Sequence, residues 1–183
     1  EQLAMWRAMP NFHMFRPADA TETAAAWYSA ITSKRTPTAL ALTRQNLPQI
    51  EGTSREALKG GYIVQIPRSV PDAIIIASGS ELSLAVEAKK VLAEDGIDVR
   101  VVSMPCMDIF EEQSEEYKAK VLPKNVRKRV AVEALSGFGW DRYVGLDGDM
   151  IGMNRFGASA PYSKLFPYFG FTVENVVARV KAL

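Results

Sequence analysis

Two continuous apolar runs constrain the fold more than any other feature of the sequence. Residues 38–42 and 73–77 show no alternation of polar and apolar side chains. Strands with this pattern are covered on both faces, as in a parallel sheet with helices on either side. The sequence therefore predicts an α/β fold.

The first 46 residues have the pattern of a strand, a helix and a second strand. Strands are predicted over residues 12–16 and 38–42, and a helix begins after Asp19 or Thr21 and ends near Thr32. Apolar residues spaced three and four apart along this helix are expected to be buried against the sheet. They are Ala24, Trp27, Tyr28 and Ile31. We expect a βαβ unit.

After a polar connection over residues 47–60, the pattern starts again. Strands are predicted over 62–66, 73–77, 97–103, 129–133 and 150–152, and helices over 81–94, over about 113–121, near Trp140 and from Val173 onward. Ser80 is expected to cap the helix over 81–94. The domain prediction is thus a partial βαβ unit over 1–46, a linker over 47–60, and a complete, mixed and mostly parallel β-sheet domain flanked by helices over 61–183.

Arg44 is the first candidate for a binding residue, because it follows an apolar strand directly in a polar turn. Ligands of open α/β sheets collect at the carboxyl ends of such strands. A guanidinium offers a planar fork of donors that matches phosphate or carboxylate. From the residues alone, the more ordinary interpretation is an arginine that ties down its own loop or pairs with a neighbouring acid.

Three other positions invite a functional interpretation. The turn over 78–80 joins a strand to a helix, where phosphates bind in other proteins, but a helix cap explains it as well. The small residues over 157–161 suit a ligand, a partner subunit or a tight loop, and the loop is favoured. Glu133 ends an apolar strand at the sheet edge where ligands bind, although the sequence shows no partner for it.

Composition and charge exclude several classes of protein. The net charge is +1, and the basic run over 124–129 and the acids at 111, 112, 115 and 116 are interpreted as solvated surface. We therefore expect no nucleic-acid partner and no membrane partner, and an intracellular location. The lone cysteine, Cys106, is expected to be an inert buried thiol, and the lone histidine, His13, a packed strand residue. No metal site is predicted.

Sequence blocks along the whole chain resemble segments of transketolases, in the order in which that family carries them. They are RAMPN at 7–11, RPAD at 16–19, ETAAA at 22–26, TRQN at 43–46, KGGY at 59–62, ASGSEL at 77–82, VVSMP at 101–105, RFGASAP at 155–161 and FGFT at 169–172. The resemblance covers the last third or less of a transketolase.

The resemblance implies a function for the intact enzyme. Residues 1–46 would end the domain that binds the aminopyrimidine ring of thiamine diphosphate, and residues 61–183 would form the C-terminal domain. Such an enzyme moves a two-carbon ketol unit from a ketose phosphate to an aldose phosphate in the pentose phosphate pathway. It uses thiamine diphosphate with Mg²⁺ or Ca²⁺ and is a cytoplasmic homodimer. Within this chain Arg44 alone takes a role, the binding of the sugar's terminal phosphate.

The resemblance also limits what this chain does alone. The family's catalytic, cofactor-binding and metal-binding residues lie before this segment, so none is assigned here. Because Glu1 begins a helix without a methionine or a cap, we expect a cut piece that is inactive without the N-terminal part of the enzyme. The alternative is a non-catalytic assembly or regulatory subunit of a split thiamine diphosphate enzyme. A nucleotide-binding Rossmann domain would need a glycine fingerprint that is absent.

Overall fold

Parallel strand pairing organises both halves of the chain. The computed structural model describes residues 1–183. Its elements in chain order are α1 (Gln2–Arg7), β1 (His13–Phe15), α2 (Ala20–Thr32), β2 (Thr38–Leu40), β3 (Tyr62–Gln65), β4 (Ala73–Ala77), α3 (Leu82–Glu94), β5 (Val99–Ser103), α4 (Met107–Glu111), α5 (Glu115–Val121), β6 (Arg129–Val132), α6 (Asp141–Val144), β7 (Asp149–Ile151), α7 (Tyr162–Phe169) and α8 (Val173–Ala182).

The first half is the expected βαβ unit. Strands β1 and β2 are parallel, with His13 opposite Thr38 and Phe15 opposite Leu40. Helix α2 connects them and begins at a defined cap, where the Asp19 carboxylate accepts a hydrogen bond from the Glu22 amide at 3.0 Å.

The second half is a five-stranded sheet in the order β3-β5-β4-β6-β7. Only β3 is antiparallel to its neighbour, and the other three pairings are parallel. This confirms the predicted mixed, mostly parallel sheet. No helix of the structure has both the length and the apolar composition needed to cross a bilayer.

Helices cover both faces of this sheet, which explains why β4 is apolar throughout. The odd-numbered side chains of β4 pack with α3 and α8 in one core cluster. The even-numbered side chains pack on the opposite face with residues of α4, α5 and α6, around the fully buried Trp140. Every residue of the strand is therefore buried, as a two-sided parallel strand requires.

The predicted inner face of α2 is wrong. Trp27, Tyr28 and Ile31 are each more than half exposed, and the helix buries Glu22, Ala25 and Ala26 instead. The small alanines allow α2 to approach the turn of 3₁₀ helix at Arg55–Lys59 closely. The larger apolar stripe consequently faces away from the sheet.

Three further expectations need correction. Ser80 does not cap α3, since a 3₁₀ turn at Gly79–Glu81 precedes the helix and the Ser80 hydroxyl donates to Glu81 at 2.7 Å. The helix predicted over 113–121 is α5, which begins at Glu115 because Ser114 caps it through the Tyr117 amide, and the preceding helix α4 was not predicted. Helix α7 is absent from the predicted helices; Pro161 lies before its first turn, and Pro167 lies inside it.

Candidate functional site

The carboxyl ends of β4 and β6 form the crevice where a sheet of this strand order usually binds ligands. The chain leaves β4 to build β5 on one side and then crosses to pair β6 on the other. Ser78 directly follows β4, and Glu133 directly follows β6. Both side chains are fully buried.

The first 16 residues of the chain fill this crevice with arginines. Arg7, at the end of α1, donates to both oxygens of Glu133, from Nη1 to Oε2 at 2.8 Å and from Nη2 to Oε1 at 2.6 Å. Ser78 Oγ donates to Oε1, and Trp140 Nε1 donates to Oε2 at 2.7 Å. Glu133 therefore accepts four hydrogen bonds in a dry environment.

The charges of this cluster keep Glu133 ionised. Burial alone would raise the pKa of its carboxyl, but the hydrogen bonds and charge of Arg7, the charge of Arg16 and the Ser78 hydroxyl lower the pKa to about 2. The sequence singled out Glu133 without a partner, and the structure supplies Arg7 from a position 126 residues away.

A second buried ion pair lies beside the first. Arg16, directly after β1, pairs through Nη1 with Glu81 and also donates to the carbonyl of Ser78 at 2.9 Å and to its hydroxyl at 3.1 Å. The Glu81 oxygen that pairs with Arg16, Oε2, also accepts a hydrogen bond from the amide of Ala134 at 3.1 Å. Two arginines from the first half thus occupy the position where a ligand of the second sheet would bind.

A third buried carboxylate, Glu22, has no cation. Its Oε2 accepts from the Ala18 amide at 2.8 Å, and its Oε1 accepts from the Tyr62 hydroxyl at 2.8 Å and the Ser103 hydroxyl at 2.6 Å. Burial raises the pKa of Glu22 more than these hydrogen bonds lower it. The carboxyl joins the two halves of the chain, at an electrostatic cost when it is ionised.

We expect Glu22→Gln to stabilise the chain at pH 8 by roughly 1 kcal/mol, the scale of an ordinary single substitution. The amide removes the buried charge, and it can accept from Ala18 and donate to Tyr62 and Ser103. Because the folded pKa lies above the ordinary value of 4.5, the benefit of the protonated carboxyl is complete below that value and is lost as pH rises.

The gain from Glu22→Gln should therefore disappear near pH 4. Urea unfolding at the two pH values measures it, with the exposed Glu94→Gln as a control that changes little. A loss of stability at pH 8 would contradict the interpretation of Glu22 as a strained charge.

Arg44 lies in the turn four residues after the end of β2. Its side chain is exposed and makes no hydrogen bond or ion pair within the chain. The turn is fixed without it, because the Thr43 hydroxyl donates to the carbonyl of Gln45 at 3.0 Å. Neither ordinary role, tying the loop or pairing with an acid, is observed.

His13 and Cys106 have the structural roles expected for them. His13 is a mostly buried residue of β1 whose Nε2 lies 3.4 Å from Glu112 Oε1. It lines a cavity of about 340 Å³ together with Arg7 and Asp108. Cys106 is fully buried, and burial raises the pKa of its thiol to about 12, so the reactive thiolate is absent at neutral pH.

The remaining candidates lie at the surface. Lys124 and Lys128 are exposed, and Lys118 pairs with Glu115 at 2.7 Å. Residues 157–161 form an exposed loop. The structure contains no group of three or more His, Cys, Asp or Glu side chains that could hold a metal ion.

Comparison with known proteins agrees with this architecture. The sequence model described as "Transketolase-like TK C-terminal domain" matches residues 60–172, and that described as "Transketolase, pyrimidine binding domain" matches residues 1–49. A transketolase of Bacillus subtilis is 58% identical over 188 residues, covering 100% of this chain and 28% of the relative.

Solved structures give the same result. A transketolase of Pichia stipitis, described as a complex with sedoheptulose-7-phosphate, superimposes with a TM-score of 0.92 at 51% identity, covering 98% of this chain and 26% of the other. A split-gene transketolase described as an inactive beta4 tetramer is more distant, at 27% identity and a TM-score of 0.79, with 100% of this chain and 61% of the other covered. The chain spans about a quarter of the full-length relatives and belongs to the transketolase family.

Proposed function

We propose that this chain is the C-terminal portion of a transketolase that moves a two-carbon ketol unit from a ketose phosphate to an aldose phosphate. Residues 1–46 end the pyrimidine-binding domain, residues 47–60 are a linker, and residues 61–183 form the C-terminal domain. Thiamine diphosphate, held with a divalent metal, supplies the carbanion chemistry of such an enzyme. No residue of this chain is assigned to that cofactor or metal. A homodimer in the cytoplasm is part of the same proposal.

The observation that carries the proposal is that the Arg44 side chain is exposed and has no partner within the chain. An exposed guanidinium without an internal partner lies at the carboxyl end of β2, in the TRQN block. A dianionic phosphate is the ligand that such a group recognises best, through charge-assisted and bidentate hydrogen bonds. We assign Arg44 to the terminal phosphate of the sugar substrate, remote from the reacting carbon.

Arg44→Ala is expected to lower kcat/KM for phosphorylated substrates about tenfold to a hundredfold, since a charge-assisted contact contributes about 1.5–3 kcal/mol. Short unphosphorylated substrates such as hydroxypyruvate and glycolaldehyde should be nearly unaffected. The activity can be measured in a chimera in which this chain replaces the matching segment of the Bacillus subtilis relative.

Arg35→Ala is the matched control, because Arg35 is also exposed and its side chain is also without a hydrogen bond or ion pair. Equal losses for phosphorylated and unphosphorylated substrates would show that Arg44 holds its loop and does not bind phosphate. An inactive chimera with the unaltered chain would count against the proposed activity itself.

A non-catalytic subunit of a split enzyme is the second candidate. It is supported by the structural similarity to the split-gene transketolase subunit. The much higher identity to a relative that contains this chain as 28% of its length favours the first proposal.

A further inference from the structure

Arg16 is attached to the second sheet by its main chain as well as by its side chain. Its amide donates to the carbonyl of Pro105 at 2.7 Å, and its carbonyl accepts from the amide of Gly79 at 2.9 Å. With the contacts of Nη1 to Glu81 and Ser78, one residue makes five polar contacts to the C-terminal half. Its side chain is 11% exposed, so solvent competes little for these contacts.

The loop that carries Arg44 is fastened to the segment around Arg16 at both ends. At its start, the amide of Ala41 donates to the carbonyl of Phe15 at 2.8 Å. At its end, Asp19 Oδ2 accepts from the amide of Ile50 at 3.1 Å. The side chains of Gln49 and Thr53 donate to the same oxygen.

Residues 15–19 therefore form the base of the Arg44 loop, and Arg16 holds that base to the second sheet. The β1–β2 sheet has only two strands, so few other main-chain contacts fix the base. We propose that Arg16 is a positioning residue for Arg44, and that the C-terminal domain holds the phosphate-binding loop in place through Glu81 and Ser78. This inference rests on the proposed phosphate-binding role of Arg44.

Removing the Arg16 guanidinium leaves Glu81 without a cation while the sheet itself keeps its apolar core. The expected result is a local loosening of the 15–19 segment and of the loop attached to it. In Arg16→Met, we expect the amides of Ala41 and Ile50 to exchange hydrogen at least about tenfold faster, since breaking a buried ion pair exceeds that effect. Amides of β4 and β5 should keep their protection.

Hydrogen exchange of the full chain measures this directly. Arg35→Met is the control, because it deletes an exposed arginine without an ion pair. Arg16→Lys should retain most of the protection, since Nη1 alone makes all three side-chain contacts and an ammonium offers three donors. Should Arg16→Met fail to fold, Glu81→Gln removes the same charge pair with little change in volume and should give the same pattern.

Equal acceleration of exchange at Ala41 and in β4 would overturn the proposal, because Arg16 would then stabilise the whole chain and not the loop. Unchanged exchange at Ala41 would overturn it as well. Both outcomes are independent of any substrate.

Kinetics in the chimera test the functional consequence. Arg16→Met should lower kcat/KM for phosphorylated substrates by about tenfold, the lower end of the effect of a lost charge-assisted contact, with little change for hydroxypyruvate. When Arg44 is already replaced by alanine, adding Arg16→Met should not further change the ratio of kcat/KM between phosphorylated and unphosphorylated substrates. Arg44→Ala could lower kcat/KM for phosphorylated substrates only, while Arg16→Met lowers it equally for both substrate classes. That result would reject the positioning role of Arg16 but not the proposed function. Lack of selectivity in Arg44→Ala would reject the proposed function, while hydrogen exchange still decides whether Arg16 positions the loop.

Discussion

Glu133→Ala is expected to lower the free energy of unfolding by about 3–5 kcal/mol, the cost of breaking a buried ion pair by removing one partner. The substitution leaves the Arg7 guanidinium buried without its carboxylate. It also removes the acceptor for the Trp140 indole and for the Ser78 hydroxyl. Urea unfolding of the full chain at pH 7 measures the loss.

The control for this prediction is the double variant Arg7→Met with Glu133→Leu, which removes both charges together. It should recover a large part of the lost stability, because hydrophobic replacement of a whole buried pair is often neutral or stabilising. The exposed Glu94→Ala should change stability little. A loss below about 1 kcal/mol in Glu133→Ala, typical of an exposed pair, would show that Arg7 reaches solvent in the variant.

The effect of Glu133→Ala should also depend on pH. The folded pKa is about 2, below the ordinary value of 4.5, so the ionised carboxylate stabilises the fold fully above pH 4.5. This contribution is lost as pH falls through the folded pKa. The difference between the unaltered chain and the variant should therefore shrink from pH 5 toward pH 2.

Gly60→Ala is expected to destabilise the chain far more than Gly96→Ala, although both glycines have nearly the same backbone conformation. Their φ angles are +80° and +79°. A Cβ at Gly60 would lie 2.3 Å from the carbonyl oxygen of Cys106 and 2.3 Å from the amide nitrogen of Phe110, whereas a Cβ at Gly96 meets nothing within 4 Å. The first overlap involves backbone atoms on both sides and cannot be relieved by a rotamer change.

Comparing these two variants separates two destabilising effects of replacing a glycine, the strain of a left-handed backbone and the steric overlap of the added Cβ. Gly96→Ala measures the left-handed conformation alone, about 1–2 kcal/mol. Gly60→Ala adds the overlap with α4, about 1–3 kcal/mol more. Chemical unfolding of both variants gives the difference, and equal losses would mean that α4 moves away without resistance.

The strands could be predicted from the sequence because their signal is local. The run over 73–77 is apolar at every position, and it became β4 with the predicted limits because both of its faces are covered. The predicted strand over 38–42 is shorter in the structure, where β2 ends at Leu40 and the chain turns toward Arg44. The expectation that both faces of this run are covered is wrong, because no residue of β2 is fully buried and Leu42 is 54% exposed.

The features that could not be predicted from the sequence depend on contacts between distant parts of the chain. The spacing of Trp27, Tyr28 and Ile31 defines a face of α2 correctly, but spacing does not show whether another surface lies opposite it. The partner of Glu133 is likewise invisible in sequence, because Arg7 approaches it only after the second sheet and α1 have assembled. Arg44 became a candidate because a polar turn follows an apolar strand, which is again a local signal.

The arginines in the crevice also bear on where this protein can be divided. The polar connection over 47–60 suggests a site for truncation, with Gly61 as the first residue of an independent domain. A polypeptide that begins there would lack Arg7 and Arg16, the cations that pair with the buried carboxylates of Glu133 and Glu81. The truncated domain would then carry two uncompensated carboxylates in its interior, an arrangement that is strongly destabilising. The charges inside the C-terminal domain are therefore balanced only when the chain includes the residues from Arg7 onward.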